Sequence, residues 1–468
     1  MPNIIDADLC IIGAGSGGLS VAAGAAQLGR KVVLVERGEM GGDCLNTGCI
    51  PSKALIAAGA RAHAFRTSAK FGVTPHEPEI DYGAVMDHVH GVIETIAPID
   101  SQERFEGLGV TVLRESASFT GPRQIKAGAD VVNAKHFVIA TGSTPFIPPI
   151  DGLDATPYLT NETLFENRER PEHLIVIGGG PIGVEMAQAH RRLGSRVTLI
   201  EGEKILGKDD PELVSVVREA LIEEGIDVLE GAFASNIAAE NGVTVTVGER
   251  VINGTHLLVA VGRRPTVEGL NLEAAGVDYD AKGVKVDQRL RTSNKRIYAI
   301  GDVAGGHQFT HVAGYHASVL VRNILFKSPS ANREDLAPWV TYSDPEIAGV
   351  GLSEEEASRN GAVKVARWPF AENDRAQAER DTRGLVKVVT NNAGAILGAS
   401  IVGHGAGDLI QPLAFAIANK QKIRGFTNMI APYPTRGEAA KRAAGAWYTP
   451  TLFSDKTRRL VSLLSTFD

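Results

Sequence analysis

The segment "DLCIIGAGSGG", residues 8–18, leads from an apolar strand through a glycine turn into an Ala-rich helical stretch, and "KVVLVERG", residues 31–38, supplies a second strand. Three glycines of the turn fit the pattern G-x-G-x-x-G: Gly13, Gly15 and Gly18. In this pattern glycines allow a tight turn, close approach of the backbone to a pyrophosphate, and packing of helix against strand. Glu36 ends the second strand, where a carboxylate can accept hydrogen bonds from ribose hydroxyls. The segment therefore predicts a Rossmann-like dinucleotide-binding unit.

The same unit occurs a second time in "HLIVIGGGPIGVEMAQAHRRLGSRVTLIEGE", residues 173–203. Its glycines are Gly178, Gly180 and Gly183, and Glu201 stands as far beyond the last of them as Glu36 stands beyond Gly18. Both copies are followed by an apolar strand and a Gly-x-x-Pro, in "FVIATGSTP" and "LLVAVGRRP", whose candidate cofactor contacts are Thr141, Gly142, Ser143 and Gly262. One glycine set alone could be a mere tight turn, but the repeat predicts two nucleotide sites in one chain.

A third element, "RTSNKRIYAIGDVAGG", ends an apolar strand in Gly301 and Asp302. Open α/β sheets bind ligands at the carboxyl ends of their strands, so Asp302 is a candidate ligand contact, although it could instead be a simple helix cap. The following "FTHVAGYHASVL" can start a helix at Thr310 and His311, with its N-terminal end toward the same ligand.

Two of the three cysteines in the chain, Cys44 and Cys49, stand five apart in "GGDCLNTGCIPSK", residues 41–53. In a reducing compartment such a pair is more often catalytic or metal-binding than structural. A metal site is the weaker alternative, because four soft ligands are wanted and no further cysteine is near. The third, Cys10, falls within the first strand and is predicted to be a small buried hydrophobe.

Composition excludes several functional classes. A chain of 468 residues with 43% apolar and 22% charged residues is expected to form about three globular domains. The net charge of −7, without a run of Lys or Arg, argues against nucleic-acid binding. We see neither a signal peptide nor an apolar stretch that could span a bilayer, and we therefore expect a cytoplasmic protein.

Taken in order, the motifs "GAGSGG", "GGDCLNTGCIPSK", "ATGSTP", "GGGPIGVE" and "YAIGDVAG" resemble those of the FAD-dependent pyridine nucleotide-disulfide oxidoreductases, the family of dihydrolipoamide dehydrogenase, glutathione reductase and mercuric reductase. The resemblance covers nearly the whole chain. It implies an α/β fold with two Rossmann-like dinucleotide-binding domains plus a C-terminal α+β dimerisation domain. The implied boundaries are 1–150 and 276–334 for FAD, 151–275 for NAD, and 335–468 for the interface.

The resemblance also implies which residues hold the cofactors. The first glycine turn, with Gly42 nearby, would hold FAD, with Glu36 on the adenosine ribose and Asp302 on the ribityl chain. The second turn would hold the nicotinamide nucleotide. Lys53 would lie near the flavin and pair with Glu185, although a solvated lysine and a surface glutamate are the alternatives.

The same resemblance implies a role for each of the two cysteines. They would form a redox-active disulfide in which Cys44 exchanges with substrate and Cys49 is the thiolate against the flavin. The two can meet if the helix is distorted at Gly48, and a thiol near the start of a helix has a lowered pKa. Such a couple can accept the electron pair that a flavin takes as hydride.

Glu201 favours NADH over NADPH, because a carboxylate suits a free 2′-hydroxyl and repels a 2′-phosphate. Three arginines nearby in the sequence could relax that preference: Arg191, Arg192 and Arg196.

The segment "NMIAPYPTRGEAAKRAAG", residues 428–445, departs from the family's His-Pro-x-x-x-x-Glu motif. Glu438 is present, but Tyr433 replaces the histidine, and a tyrosine of pKa near 10 is a poor base at neutral pH. Ordinary dihydrolipoamide turnover is therefore in doubt. Mercuric reductases carry a tyrosine here, but they also need a C-terminal cysteine pair, which "WYTPTLFSDKTRRLVSLLSTFD" lacks. This tail is predicted to be an amphipathic helix, packed on the surface rather than held by a membrane-bound partner.

These observations predict a homodimeric, NADH-dependent flavoprotein disulfide reductase of the dihydrolipoamide dehydrogenase and mercuric reductase branch. Its substrate would be a small thiol or disulfide, or a metal ion. The alternatives are a functioning dihydrolipoamide dehydrogenase, a mercuric-reductase-like enzyme, and a slow redox-sensing flavoprotein.

Overall fold

The computed structural model describes residues 3–239 and 242–467, and its three largest sheets have seven, four and five strands. The first two are built around parallel strands and the third is antiparallel. The predicted fold class, two Rossmann-like domains and a C-terminal α+β domain, is confirmed.

The first part of the chain forms most of the seven-stranded sheet. Its elements are β1 Ile4–Ile12, α1 Ser16–Gln27, β2 Val32–Val35, α2 Gly42–Asn46, α3 Cys49–Arg66, α4 Tyr82–Asp100, α5 Gln102–Gly107, β3 Val110–Leu113, β4 Ala117–Gly121, β5 Gln124–Ala127, β6 Asp130–Ile139 and β7 Ser143–Pro145. Strand β1 pairs in parallel with both β2 and β6. The apolar run in its second half, residues 9–12, is explained by burial on both faces. Cys10 is fully buried within it, as predicted.

The second part forms the four-stranded parallel sheet and an antiparallel three-stranded sheet. Its elements are α6 Asn161–Leu164, β8 His173–Ile177, α7 Pro181–Arg192, β9 Arg196–Glu201, α8 Pro211–Glu223, β10 Asp227–Glu230, β11 Ala234–Ala238, β12 Val243–Val247, β13 Arg250–Gly254, β14 His256–Val259 and β15 Arg263–Pro265. The parallel order is β10-β9-β8-β14. Strand β15 pairs with β7, so the two Gly-x-x-Pro segments meet and join the two domains.

The chain then returns to the first sheet through β16 Tyr279–Asp280, β17 Gly283–Val284, β18 Ile297–Ala299 and α9 Thr310–Ile324. Strand β18 pairs in parallel with β6. Residues just before the predicted boundary at residue 275 also contact this sheet. Leu270 and Leu272 already pack in the core of the seven-stranded sheet, and Phe119 N donates to Leu270 O over 2.9 Å.

The C-terminal part is a five-stranded antiparallel sheet covered by helices. Its elements are β19 Trp339–Thr341, β20 Glu346–Gly351, α10 Glu354–Arg359, β21 Val363–Pro369, α11 Asp374–Ala378, β22 Leu385–Asn391, β23 Ile396–Gly403, α12 Ala406–Leu409, α13 Gln411–Ala418, α14 Arg424–Asn428, α15 Glu438–Leu452 and α16 Asp455–Leu464. Alanines of α15 are buried against this sheet.

The predicted amphipathic helix of the tail exists as α16, but none of its residues is buried. Its expected packing on the surface of its own chain is therefore not observed. No helix within the described residues is both long and apolar enough to cross a membrane.

Candidate active site

A cleft of about 2980 Å³ runs between the first two domains and reaches the third. Predicted site residues that line it are Gly13, Gly15, Glu36, Gly42, Cys44, Cys49, Lys53, Thr141, Gly142, Ser143, Gly178, Gly180, Glu185, Glu201, Gly262, Gly301, Asp302, Thr310 and His311. Gly18 and Gly183 lie inside helices α1 and α7. The cleft thus brings both glycine turns and both cysteines together.

The first glycine turn has a distinct contact at each glycine. Gly13 has φ +107°, and a Cβ there would lie 2.3 Å from Ala140 O. A Cβ at Gly18 would lie 1.9 Å from Gly13 O, whereas one at Gly15 would meet no protein atom within 4 Å and would project into the cleft. No side chain caps helix α1, so its first N–H groups remain available. These features fit the pyrophosphate of a dinucleotide.

The second turn repeats this geometry. Gly178 has φ +111° with its Cβ position 2.4 Å from Ala260 O, and the Cβ position of Gly183 is 1.8 Å from Gly178 O. Gly180 again has nothing within 4 Å, and helix α7 again lacks a side-chain cap. The repeat seen in the sequence therefore extends to individual atomic contacts.

The glutamates that end β2 and β9 bind their glycine turns in the same way. Glu36 Oε2 accepts a hydrogen bond from Ala14 N over 2.6 Å, and Glu201 Oε2 accepts one from Gly179 N over 2.6 Å. The other oxygen of each accepts from the backbone two residues further on. A carboxylate has about four acceptor positions, so each glutamate can still bind ribose hydroxyls.

Asp302 is held at the cleft by a short chain of hydrogen bonds. Ser143 Oγ donates to Asp302 Oδ2 over 2.6 Å and accepts from Arg263 Nε over 2.7 Å. Burial raises the pKa of Asp302, and the Ser143 hydrogen bond and Arg263 oppose that rise. Asp302 is therefore linked by hydrogen bonds to β7 and β15, the two strands that pair across the domains.

Sequence reasoning missed Arg263, which connects that strand pair to the cysteine segment. Its guanidinium donates to Asn161 Oδ1 over 3.2 Å and lies 3.3 Å from Asp43 Oδ1. Asn161 Nδ2 in turn donates to Asp43 Oδ1 over 2.8 Å. Asp43 directly precedes Cys44, so this network fixes the start of the cysteine segment. The adjacent Gly262 was the only sequence feature that pointed to Arg263.

The cysteines lie on two helices separated by a break. Cys44 belongs to α2, Cys49 is the first residue of α3, and Gly48 lies between the helices with φ −125° and ψ −111°. A Cβ at Gly48 would lie 2.8 Å from Asp43 Oδ2 and 2.9 Å from Asp43 O. Only glycine fits this close approach, and the break allows the two thiols to meet.

The pKa values of the two free thiols are shifted in opposite directions. A hydrogen bond with Cys44 lowers the pKa of Cys49 to about 6, assisted by Thr310 and Lys53. The same interaction, together with burial, raises the pKa of Cys44. Thr310 Oγ1 lies 3.2 Å from Cys49 Sγ. The pair therefore favours a thiolate at Cys49 and a protonated thiol at Cys44.

Lys53 lies in an ion pair that reaches the third domain. Its Nζ is 2.8 Å from Glu185 Oε2 and 4.3 Å from the centroid of the Tyr342 ring. Glu185 Oε1 accepts from Tyr342 N over 2.9 Å. Tyr342 lies next to β19 and was not predicted, because no local pattern marks it.

Tyr433 and Glu438 do not line the cleft of their own chain. The Tyr433 side chain is 67% exposed and donates to Asp374 Oδ2 over 2.9 Å. Glu438 pairs with Arg442 over 2.7 Å. The structure of one chain therefore does not bring these two residues to the cysteines.

Two family models match the chain. "Pyridine nucleotide-disulphide oxidoreductase" matches residues 7–317, and the dimerisation domain of the same family matches residues 337–444. The second match covers the antiparallel sheet and most of the helices around it.

Curated relatives of this chain include mercuric reductases and dihydrolipoyl dehydrogenases. A mercuric reductase of Streptomyces lividans is 37% identical over 93% of this chain and 95% of its own length. A dihydrolipoyl dehydrogenase of Thermus scotoductus is 38% identical over 94% of this chain and 97% of its own length.

Solved structures agree with these relatives. LpdA of Mycobacterium tuberculosis has a TM-score of 0.87 and 26% identity, covering 94% of this chain and 99% of its own. The HOCl-induced flavoprotein disulfide reductase RclA of Escherichia coli has a TM-score of 0.85 and 26% identity, covering 94% of this chain and 99% of its own. The chain belongs to the FAD- and pyridine nucleotide-dependent disulfide oxidoreductase family.

Proposed function

We propose that the chain carries an electron pair from NADH through FAD to the Cys44–Cys49 couple, and from there to a small disulfide or another two-electron acceptor. The observation that carries this proposal is the single cleft, which is lined by both uncapped glycine turns and both thiols. Bound FAD would supply the two-electron chemistry that connects a hydride donor to a dithiol–disulfide couple.

The other roles in this electron transfer are assigned to side chains of the protein. Cys49, stabilised as a thiolate by its hydrogen bonds, is the thiol assigned to the flavin side. Cys44, which keeps its proton, is assigned to exchange with the acceptor. The ion pair of Lys53 with Glu185 places a positive charge near the thiolate and supports its charged form.

The proposal also includes NADH as donor and a homodimer as the active form. Glu201 supports NADH, because its carboxylate would repel a 2′-phosphate. The match to a family dimerisation domain and the exposure of Tyr433 support a site completed by a second copy.

The acceptor is tested by steady-state NADH oxidation with lipoamide, oxidised glutathione, Hg²⁺ and quinones, comparing the natural protein with Tyr433→His. Flavin reduction by NADH should be fast in both, because that step needs no base at position 433. Lipoamide turnover should rise severalfold or more in Tyr433→His, because a positioned general base typically contributes ~100-fold or more.

A natural protein that already oxidises dihydrolipoamide as fast as Tyr433→His would contradict the role given to Tyr433. The second candidate, a functioning dihydrolipoamide dehydrogenase, would then replace it. The 38% identity to a full-length dihydrolipoyl dehydrogenase favours that candidate. Failure to turn over any acceptor would instead leave a redox-sensing flavoprotein.

A further inference from the structure

One large aromatic side chain at the cleft has no part in the proposed electron path. Phe233 lies in the short segment between β10 and β11, and it is 73% exposed. It lines the cleft together with Gly202 and Ala234. A phenylalanine ring that is left open to a cleft is a candidate contact for a ligand with a flat apolar face.

The ring of Phe233 packs on the backbone of Gly202, the residue directly after Glu201. A Cβ at Gly202 would lie 2.1 Å from Cε1 of the ring and 2.5 Å from two further ring carbons. Only a residue without a side chain allows this approach. The equivalent position in the first unit, directly after Glu36, is Arg37, so the first unit carries a side chain where the second has bare backbone.

The backbone around Phe233 is fixed against the segment that follows β9. Gly231 N donates to Glu203 O over 2.9 Å, and Ile205 N donates to Glu230 Oε1 over 3.0 Å. Strand β11 begins directly after Phe233 and pairs with β12. The ring is therefore presented to the cleft by a segment that is held at both ends.

The strand order β10-β9-β8-β14 decides which half of a dinucleotide would reach Phe233. The second glycine turn follows β8 and would hold the pyrophosphate, and Glu201 at the end of β9 would hold the ribose of the adenosine half. This direction continues toward β10, where Glu230 is the register partner of Glu201. The adenine base comes next along it, at the end of the sheet where Phe233 lies.

We propose that Phe233 is a nucleotide-binding residue on whose exposed ring the adenine of the pyridine nucleotide stacks, and that Gly202 lets the ring lie there. This inference rests on the proposed function, in which the second glycine turn holds that nucleotide. Stacking of a base on an aromatic face gives affinity without hydrogen bonds to the base edge. Phe233 should therefore strengthen binding of donors that carry adenine and leave hydride transfer from the nicotinamide unchanged.

The first test measures binding of ADP-ribose to the FAD-loaded protein by isothermal titration calorimetry. ADP-ribose carries the adenine and the pyrophosphate but no nicotinamide, so the titration involves no electron transfer. Its Kd should rise about 5- to 150-fold in Phe233→Ala, the range typical of base stacking on an aromatic side chain. Phe233→Tyr keeps the ring and should bind as the natural protein does. Phe326→Ala is the matched control, since Phe326 is 61% exposed but is not among the residues that line the cleft.

The second test follows flavin reduction in a stopped flow. With NADH, the half-saturating concentration should rise in Phe233→Ala while the limiting rate stays unchanged. With reduced nicotinamide mononucleotide, which has no adenine, both values should equal those of the natural protein. Gly202→Ala should also weaken ADP-ribose binding, because its Cβ displaces the ring, and it should have no further effect when combined with Phe233→Ala.

Two results would overturn the inference. One is an equal Kd for ADP-ribose in Phe233→Ala and the natural protein. The other is a loss with reduced nicotinamide mononucleotide as large as the loss with NADH, since Phe233 would then support the fold of the domain and not the adenine. Failure of NADH to reduce the flavin of the natural protein would overturn the proposed function instead, and the ADP-ribose titration distinguishes the two failures.

Discussion

At the scale of single residues, Glu36 and Glu201 show how one side chain serves both fold and recognition. Each carboxylate accepts backbone hydrogen bonds from its own glycine turn and from the residue two positions further on. These bonds orient the carboxylate toward the cleft and leave acceptor positions free. In the proposed function, the same charge at Glu201 would face the 2′-hydroxyl of NADH or the 2′-phosphate of NADPH.

We expect Glu201→Arg to remove the preference for NADH over NADPH or to reverse it. A loss of ~1.4 kcal/mol of discrimination corresponds to a tenfold change in the ratio of the two rates. The rates are measured as flavin bleaching by each nucleotide in a stopped flow. Glu201→Gln, which keeps an acceptor for Gly179, is the control and should give an intermediate ratio. Equal rates with both nucleotides in the natural protein would contradict the role of the carboxylate.

Residue-scale contacts also mark the limit of sequence reasoning. The glycines, the cysteines and the Lys53–Glu185 pair are named by short motifs, because each sits beside a turn or a helix start that the sequence reveals. No short motif identifies Arg263 or Asp374. Arg263 contacts Asp43, and Asp374 accepts from Tyr433, only in the folded chain, because the partners are distant in sequence.

At the scale of elements, the two strand–turn–helix units have the same geometry but are assigned different cofactors. Gly15 and Gly180 occupy equivalent positions, where a Cβ would contact no protein atom and would project into the cleft. A methyl group at either position therefore tests what binds there without disturbing the protein core.

Gly15→Ala should yield protein that loses most of its FAD, whereas Gly180→Ala should keep FAD and bind NADH more weakly. A steric cost of ~1–3 kcal/mol weakens binding by about 5- to 150-fold. Gly91→Ala is the control, because a Cβ there also meets nothing within 4 Å but lies on helix α4 outside the cleft. FAD content is read from flavin absorbance and NADH binding from the KM. The opposite pattern would exchange the two assignments.

A buried charge cluster fixes the second domain to the third. Lys387 on β22 is 4% exposed, and its Nζ lies 2.6 Å from Asp210 and Glu354 and 3.0 Å from Glu212. Asp210 caps helix α8, so the lysine holds the start of that helix against the antiparallel sheet. Removal of the lysine leaves the buried Asp210 without its cationic partner, whereas Glu212 and Glu354 keep Arg367.

Lys387→Met should therefore destabilise the folded protein by ~3–5 kcal/mol, the usual cost of breaking a buried ion pair. Lys285→Met is the matched control, since Lys285 pairs with Asp280 at an exposed site and should cost less than ~1 kcal/mol. Denaturant unfolding followed by circular dichroism gives both values. Equal stability of the two variants would show that the cluster does not join the domains.

At the scale of the whole molecule, both glycine turns and both thiols line one cleft, while Tyr433 is exposed and is not among the residues that line it. The repeat and the motif order predicted this architecture well, because each motif implies a strand end and a helix start. The packing of Leu270 in the core of the first sheet and the exposure of all of helix α16 were not predicted, since packing between distant segments decides both. The two Gly-x-x-Pro segments identified in the sequence pair with each other as β7 and β15, and this pairing connects the first two domains.

The proposed electron path places Cys49, and not Cys44, as the thiolate beside the flavin. The most direct measurement is the long-wavelength charge-transfer absorbance of Cys44→Ser as a function of pH. The serine hydroxyl can still donate to Cys49, whose pKa is about 6 in the natural pair, so the band should be present at pH 7 and should fade as pH falls through that region. Cys49→Ser should show no band at any pH. A band that persists in Cys49→Ser, or its absence from Cys44→Ser at pH 7, would contradict the assignment.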